Sequence, residues 1–149
     1  MNEIIENSTV ARSNATIVEF MALAEADMID CVLDFTIMQE QRYMKFWKNW
    51  SIIELINGTE LRFVYWGTEL AKVYDREWTG KFVVEEDYAN ISAYRCLCDI
   101  HMKTIKRKEI LYTNGTLDWV ERDYTKWNRV NIPILRTGEI CSLSLVVFE

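Results

Sequence analysis

His101 is the sole histidine of the chain, and its ordinary pKa is the only side-chain value lying near neutrality. Such a residue can act as a general base or ligate haem iron. Here it falls at the predicted start of a strand, beside Asp99 with Lys103 nearby, which reads as a surface or edge residue. The chain has four cysteines: Cys31, Cys96, Cys98 and Cys141. Cys96-x-Cys98 lacks the spacing of a metal pair and has no second Cys/His pair behind it, so buried reduced thiols are expected and no metal centre. Glu85-Glu86-Asp87 has the charge to attract a divalent cation. It also stands where a helix is expected to start, and acidic residues there favour the helix dipole. Asp118, Glu121 and Asp123 include a pair at strand spacing, as carboxylate hydrolysis would need, but the pattern suits a solvated strand face. Lys103, Lys106, Arg107 and Lys108 read as a solvated strand edge, where lysines oppose aggregation. With one histidine, no nucleophile motif and no metal spacing, a small hydrolase or isomerase is the weakest reading. No catalytic residue is assigned.

Composition narrows the class further. The 149 residues suffice for one ordinary domain with a sizeable core, and half of them are hydrophobic. The net charge is −6, with 23 acidic against 17 basic residues, which argues against nucleic acid or anionic lipid as a partner. The acidic start Met1-Asn2-Glu3-Ile4-Ile5-Glu6 lacks a signal pattern. The apolar stretch 28–38 is interrupted by Asp30 and Asp34, so it does not read as a membrane span. A cytoplasmic location is the default expectation.

Residues 1–14 read as a polar tail, and a single domain is expected over 15–149. A helix should start near Thr16, where Thr16-Ile17-Val18-Glu19 has capping-box spacing. Ile17, Phe20, Met21, Ala24 and Met28 then form one apolar stripe. A second helical segment is predicted over 37–47. Ser51–Ile56 and Leu61–Trp66 read as strands joined by Asn57-Gly58, a strong hairpin signal because both residues tolerate positive φ. Thr68–Tyr74 and Glu86–Leu97 should be helical. Strand-like runs follow near 100–112, 119–135 and 139–148, the last two joined at Arg136-Thr137-Gly138. Pro133 cannot donate to a ladder, so a bulge or an interruption is expected there. Both alternating faces of 61–66 are apolar, with Leu61, Phe63 and Tyr65 on one and Val64 and Trp66 on the other. Such a strand is usually covered on both sides. One cover would be the helices of 68–97, and the other the helix of 15–31, from the same chain or a partner subunit. The order is that of an α+β domain with helices packed on an antiparallel sheet.

Two motifs carry a family resemblance. Leu61-Arg62-Phe63-Val64-Tyr65-Trp66-Gly67-Thr68, then a short helix, then Trp78-Thr79-Gly80, resembles the front half of a small stand-alone bacterial PAS-like (sensory box) domain. Val130-Asn131-Ile132-Pro133-Ile134, then Gly138 and a final strand, resembles its end. Together they span about residues 34–148. Leu61 stands where the family has an aromatic residue and Val64 where it often has a second basic one. The resemblance implies a five-stranded antiparallel sheet with helices on one face and an N-terminal flanking helix. It also implies a non-catalytic sensory or regulatory role in signal transduction, with a small-molecule pocket between sheet and helices.

On that reading Tyr65, Tyr74, Trp78, Tyr88 and Tyr94 are the candidate ligand-binding residues, since aromatic walls with a few hydroxyls suit a planar or apolar ligand. The bland reading is that they fill the core. No cofactor is identified. Haem-binding PAS domains place their ligand on a helix, which does not match a strand-borne His101. Flavin photochemistry needs an Asn-Cys-Arg-Phe motif, whereas Tyr94-Arg95-Cys96-Leu97 has the reverse order. Ile17, Phe20, Met21 and Ala24 are the expected contact of a homodimer. The chain leaves no room for an output domain, so a signal would pass to a partner protein. The rival reading is a ligand-free interaction adapter of the same fold, docking through that helix stripe.

Overall fold

A computed structural model describes residues 4–88, 90–117 and 122–149, with the side chains of 117–124 outside the description. The expected acidic group of Asp118, Glu121 and Asp123 therefore lies outside the described residues. Strand β1 (Ile5–Glu6) is followed by helices α1 (Thr9–Ser13) and α2 (Ala15–Asp27), strand β2 (Leu33–Asp34) and helix α3 (Phe35–Met38). A 3-10 segment, Gln41–Asn49, leads into the hairpin β3 (Trp50–Ile56) and β4 (Glu60–Trp66). Helix α4 (Thr68–Tyr74), a 3-10 turn at Glu85–Asp87 and helix α5 (Ile91–Arg107) precede the meander β5 (Leu111–Leu117), β6 (Arg122–Arg136) and β7 (Glu139–Phe148).

The chain is α+β, built on a sheet of seven strands rather than five. Its order is β1-β5-β6-β7-β3-β4, with β2 pairing in parallel on β6 and all other pairs antiparallel. The two added strands have two residues each. Helices cover both faces of the sheet. One face, carrying Trp50, Ile52, Val130, Ile132, Ile134, Leu143 and Leu145, packs on α1, α2 and the 3-10 segment. The other, carrying Ile53, Phe63 and Trp127, lies under α4, α5 and the Trp78 turn.

The N-terminal segment departs most from expectation. Residues 4–14 are no loose tail: Ile5 and Glu6 pair with Asn114 and Thr113, Ser8 caps α1, and Ala11 is fully buried. Helix α2 is capped by Asn14, whose Oδ1 accepts from the Thr16 and Ile17 amides, so the expected Thr16 cap is not used. Ile17, Phe20, Met21 and Ala24 are buried inside this chain, with Phe20 edge-on to Tyr43, Phe46 and Trp50. Their apolar area is spent on the sheet of the same chain. They are therefore corrected from a dimer contact to core.

Two turns behave as the sequence indicates. Asn57 and Gly58 take φ of 52° and 76°, and Thr137 and Gly138 take 50° and 81°. Gly67 has a different reason. A Cβ there would sit 2.3 Å from the Lys48 carbonyl oxygen, so only glycine lets the β4–α4 junction meet the 3-10 segment. Pro133 does not break the β6–β7 register, which runs unbroken from Trp127↔Phe148 to Arg136↔Glu139. It falls between Asn131, where β5 leaves β6, and Ile134, where β2 joins.

Four further expectations are corrected. Residues 100–107 are helical, so α5 is longer than predicted and His101 is on a helix. The basic run Lys103, Lys106, Arg107 and Lys108 closes that helix, where cations meet the negative end of its dipole. Helix α5 starts at Ile91 under an Asn90 cap, after the Glu85–Asp87 turn and not within it. Cys31 is exposed and Cys96 and Cys98 are half-buried, leaving Cys141 as the buried thiol.

Candidate functional site

A cavity of about 70 Å³ lies between the sheet and the helices α4 and α5. Its floor is β-sheet, with Ser51, Phe63, Trp127, Arg129, Ser144 and Val146. Its roof is Leu70 and Tyr74 of α4, Trp78, Tyr88, and Ala93, Leu97 and His101 of α5. Ile4 reaches it from the N-terminal segment. The aromatic part of the wall is continuous. Trp78 stands 5.6 Å from Phe63, 6.2 Å from Trp66 and 6.1 Å from Tyr88, and Tyr74 stands 5.3 Å from Trp66.

Of the five aromatic candidates, Tyr74, Trp78 and Tyr88 line this cavity. Burial raises the Tyr74 phenol to about 12 and holds that of Tyr88 well above its ordinary value, so both are neutral hydroxyls at neutral pH. Tyr94 stays at the rim beside Tyr88 and faces an outer groove with Phe82, Val83 and Met102. Tyr65 is on the opposite face of the sheet, where its hydroxyl donates to the Trp47 carbonyl at 2.9 Å beside Phe35 and Trp50. A β-bulge explains this. Ile52 pairs with Tyr65 and Ile53 with Phe63, so Val64 is an extra residue and the face alternation slips by one. Trp66 moves to the cavity side as Tyr65 leaves it.

The polar half of the wall is made by residues the sequence did not single out as a group. Along β6 and β7, Arg129, Asn131, Ser142 and Ser144 alternate with Val130, Ile132, Cys141, Leu143 and Leu145. Such a pattern reads as one wet face. Here α5 covers it, and all four are buried. Asn131 donates from Nδ2 to Ser144 Oγ at 2.6 Å and to Ser142 Oγ at 3.2 Å. His101 joins this network through Nδ1, 2.8 Å from Ser142 Oγ. It is 1% exposed, so it is corrected from an edge residue to a core one. Burial, aided by the Arg129 charge, lowers its pKa to about 3. The ring is neutral, and its Nδ1 shares one hydrogen bond with the Ser142 hydroxyl.

A serine and a histidine at this distance invite comparison with nucleophilic catalysis. Ser142 is fully buried and does not line the cavity, and the third member is an amide rather than a carboxylate. A base with a pKa near 3 also holds no proton taken at neutral pH. The network acts as a scaffold that sets the Ser144 hydroxyl and the His101 ring in the cavity wall.

Among the described residues Arg129 is the one charged residue of the wall, 7% exposed. Its Nε donates to Thr113 Oγ1 at 3.1 Å, and its guanidinium lies 4.7 Å over the Trp127 ring. Trp127 is itself fixed by donating to the Thr116 carbonyl at 3.1 Å. By contrast Arg62, the basic residue of the hairpin motif, pairs across the strands with Glu54, which also meets Arg136 at 3.4 Å. Arg62 is therefore structural and does not approach the cavity.

Among the described residues no cluster of three or more His, Cys, Asp or Glu could hold a metal ion, and no helix is long and apolar enough to cross a membrane. No family model, curated protein or solved structure matches the chain.

Proposed function

We propose that this chain is a non-catalytic, PAS-like sensory module that binds a small ligand between its sheet and helices α4 and α5. The observation carrying this reading is the cavity, walled by Tyr74, Trp78 and Tyr88 and floored by a buried polar network. The PAS-like assignment is supported by the two sequence motifs and by five long antiparallel strands with α4 and α5 between the second and third of them. The volume suits a molecule of a few non-hydrogen atoms, since an apolar cavity of ~150 Å³ takes benzene.

A ligand can shift a conformational equilibrium only by its differential affinity for the two states. The N-terminal segment is the element best placed to feel occupancy. Ile4 lines the cavity, and the adjoining strand β1 is held by two residue pairs on β5. Filling the cavity would press on Ile4 and change the docking of that segment, which a partner protein could then read. The adapter alternative loses its docking stripe, because Ile17, Phe20, Met21 and Ala24 are core.

The test is native mass spectrometry of the purified protein, followed by denaturing analysis of any released small molecule. A stoichiometric adduct that Ala93→Phe, which fills the cavity from α5, abolishes without unfolding the chain is the expected result. An adduct unaffected by that variant, or none in any preparation together with no binding from a metabolite panel, contradicts the reading.

A further inference from the structure

The cavity wall contains two buried donors that meet no acceptor among the described residues: Arg129 Nη2 and Trp78 Nε1. Buried donors without partners are uncommon in folded proteins, and an ionised one is the most costly kind. Among the described residues no carboxylate pairs with Arg129. The ionisable side chains that act on it are Tyr74, Cys96 and Tyr88, all with raised pKa values and all neutral at neutral pH. His101 is neutral as well. Among the described residues the wall thus offers one fixed positive charge, one indole N–H and neutral hydroxyls, with no negative charge to oppose an incoming anion.

Resting on the sensory reading above, we propose that the ligand is a small monocarboxylate, bound through its carboxylate to Arg129. A planar guanidinium matches a carboxylate in geometry as well as charge. Arg129 is held ready, with Nε on Thr113 and its guanidinium over the Trp127 ring, so little side-chain freedom remains to be lost on binding. One cation balances one negative charge, which favours a carboxylate over a dianionic phosphate. The small volume and the rings of Phe63, Trp66 and Trp78 then set the rest of the molecule as a short apolar or 2-oxo chain. A second acceptor oxygen, as in a 2-oxo acid, would answer the Trp78 N–H.

The experiment is thermal unfolding and calorimetric titration of the full chain at fixed ionic strength with propionate and pyruvate, each against its neutral amide. The acids should raise Tm saturably and the amides should not. Arg129→Gln should weaken acid binding roughly 10–100-fold, as loss of a hydrogen-bonded charge does, and Lys126→Gln, an exposed cation on the same strand, should leave it unchanged. If Arg129→Gln fails to fold, the acid-against-amide comparison on the wild type still decides. Amides that stabilise as well as acids, or a co-purified ligand without a carboxylate, would overturn the carboxylate assignment and leave the sensory reading intact. No stabilisation by any compound, with no ligand retained in native mass spectrometry, would overturn both.

Discussion

The two faces of one sheet are built to opposite rules. On the α2 side, Trp50, Ile52, Val130, Ile132, Ile134, Leu143 and Leu145 meet Ile17, Phe20, Met38, Tyr43 and Phe46 in close apolar contact. On the α5 side, the next residues along the same strands are Ser51, Arg129, Asn131, Ser142 and Ser144, covered by a helix that adds His101 and Thr104. Arg129 Nη2, Asn131 Oδ1 and Thr104 Oγ1 are buried there without a hydrogen-bond partner among the described residues. A sheet needs one well-packed face to fold. The first face supplies that, which leaves the second able to carry groups that cost stability and serve recognition.

Substitutions on the two faces should therefore differ in sign. The largest effect is expected on the dry face. Phe20→Ala should cost about 3–5 kcal/mol in urea unfolding, by removing a ring that meets three other rings. Phe20→Asp should leave no folded chain to associate. A stable, folded Phe20→Asp would restore the helix stripe as a surface and break the contrast.

The second effect concerns pH. Folded His101 has a pKa of about 3 against an ordinary 6.5, so between those values the unfolded chain binds the extra proton. This contribution is intact above pH 6.5 and is lost as pH falls toward 3, by about 1.4 kcal/mol per pH unit. Urea midpoints of wild type and His101→Gln across that range should converge as pH falls. Parallel curves would place the acid sensitivity elsewhere.

Third, Arg129→Met should raise the stability of the ligand-free chain by about 1–3 kcal/mol, because an apolar side chain replaces a buried charge that has no counter-charge among the described residues. A loss of stability would mean that Arg129 serves the fold. The smallest effect is expected in the β3–β4 hairpin. Arg62→Gln removes a partly exposed guanidinium from the buried Glu54, which keeps Arg136, and should cost about 1 kcal/mol.

How much of this was legible in the sequence depended on what marks each feature. Helix α4 stands between glycines and the turns at 57–58 and 137–138 contain one each, so their positions in the sequence match those in the structure. The second half of α5 reads in the sequence as a strand. Its buried stripe is Ala93, Ile100, His101, Thr104 and Ile105, and two polar members disguise the helical period. That error also put His101 on a surface it does not occupy. The bulge at Val64 carries no glycine or proline, so the slip that moves Tyr65 away from the cavity had no local sign. Arg129, Asn131, Ser142 and Ser144 did leave a signal, a strict alternation with apolar residues. Period two alone cannot distinguish a face covered by water from one covered by a helix.

The most direct measurement is a crystal structure of the protein as purified from cells, at a resolution that distinguishes water from a small organic molecule. The account expects continuous density in the cavity, with acceptor atoms within hydrogen-bond distance of Arg129 Nη2 and Trp78 Nε1. Arg129 turned out to solvent, or paired with a carboxylate of its own chain over an empty or water-filled cavity, would contradict it.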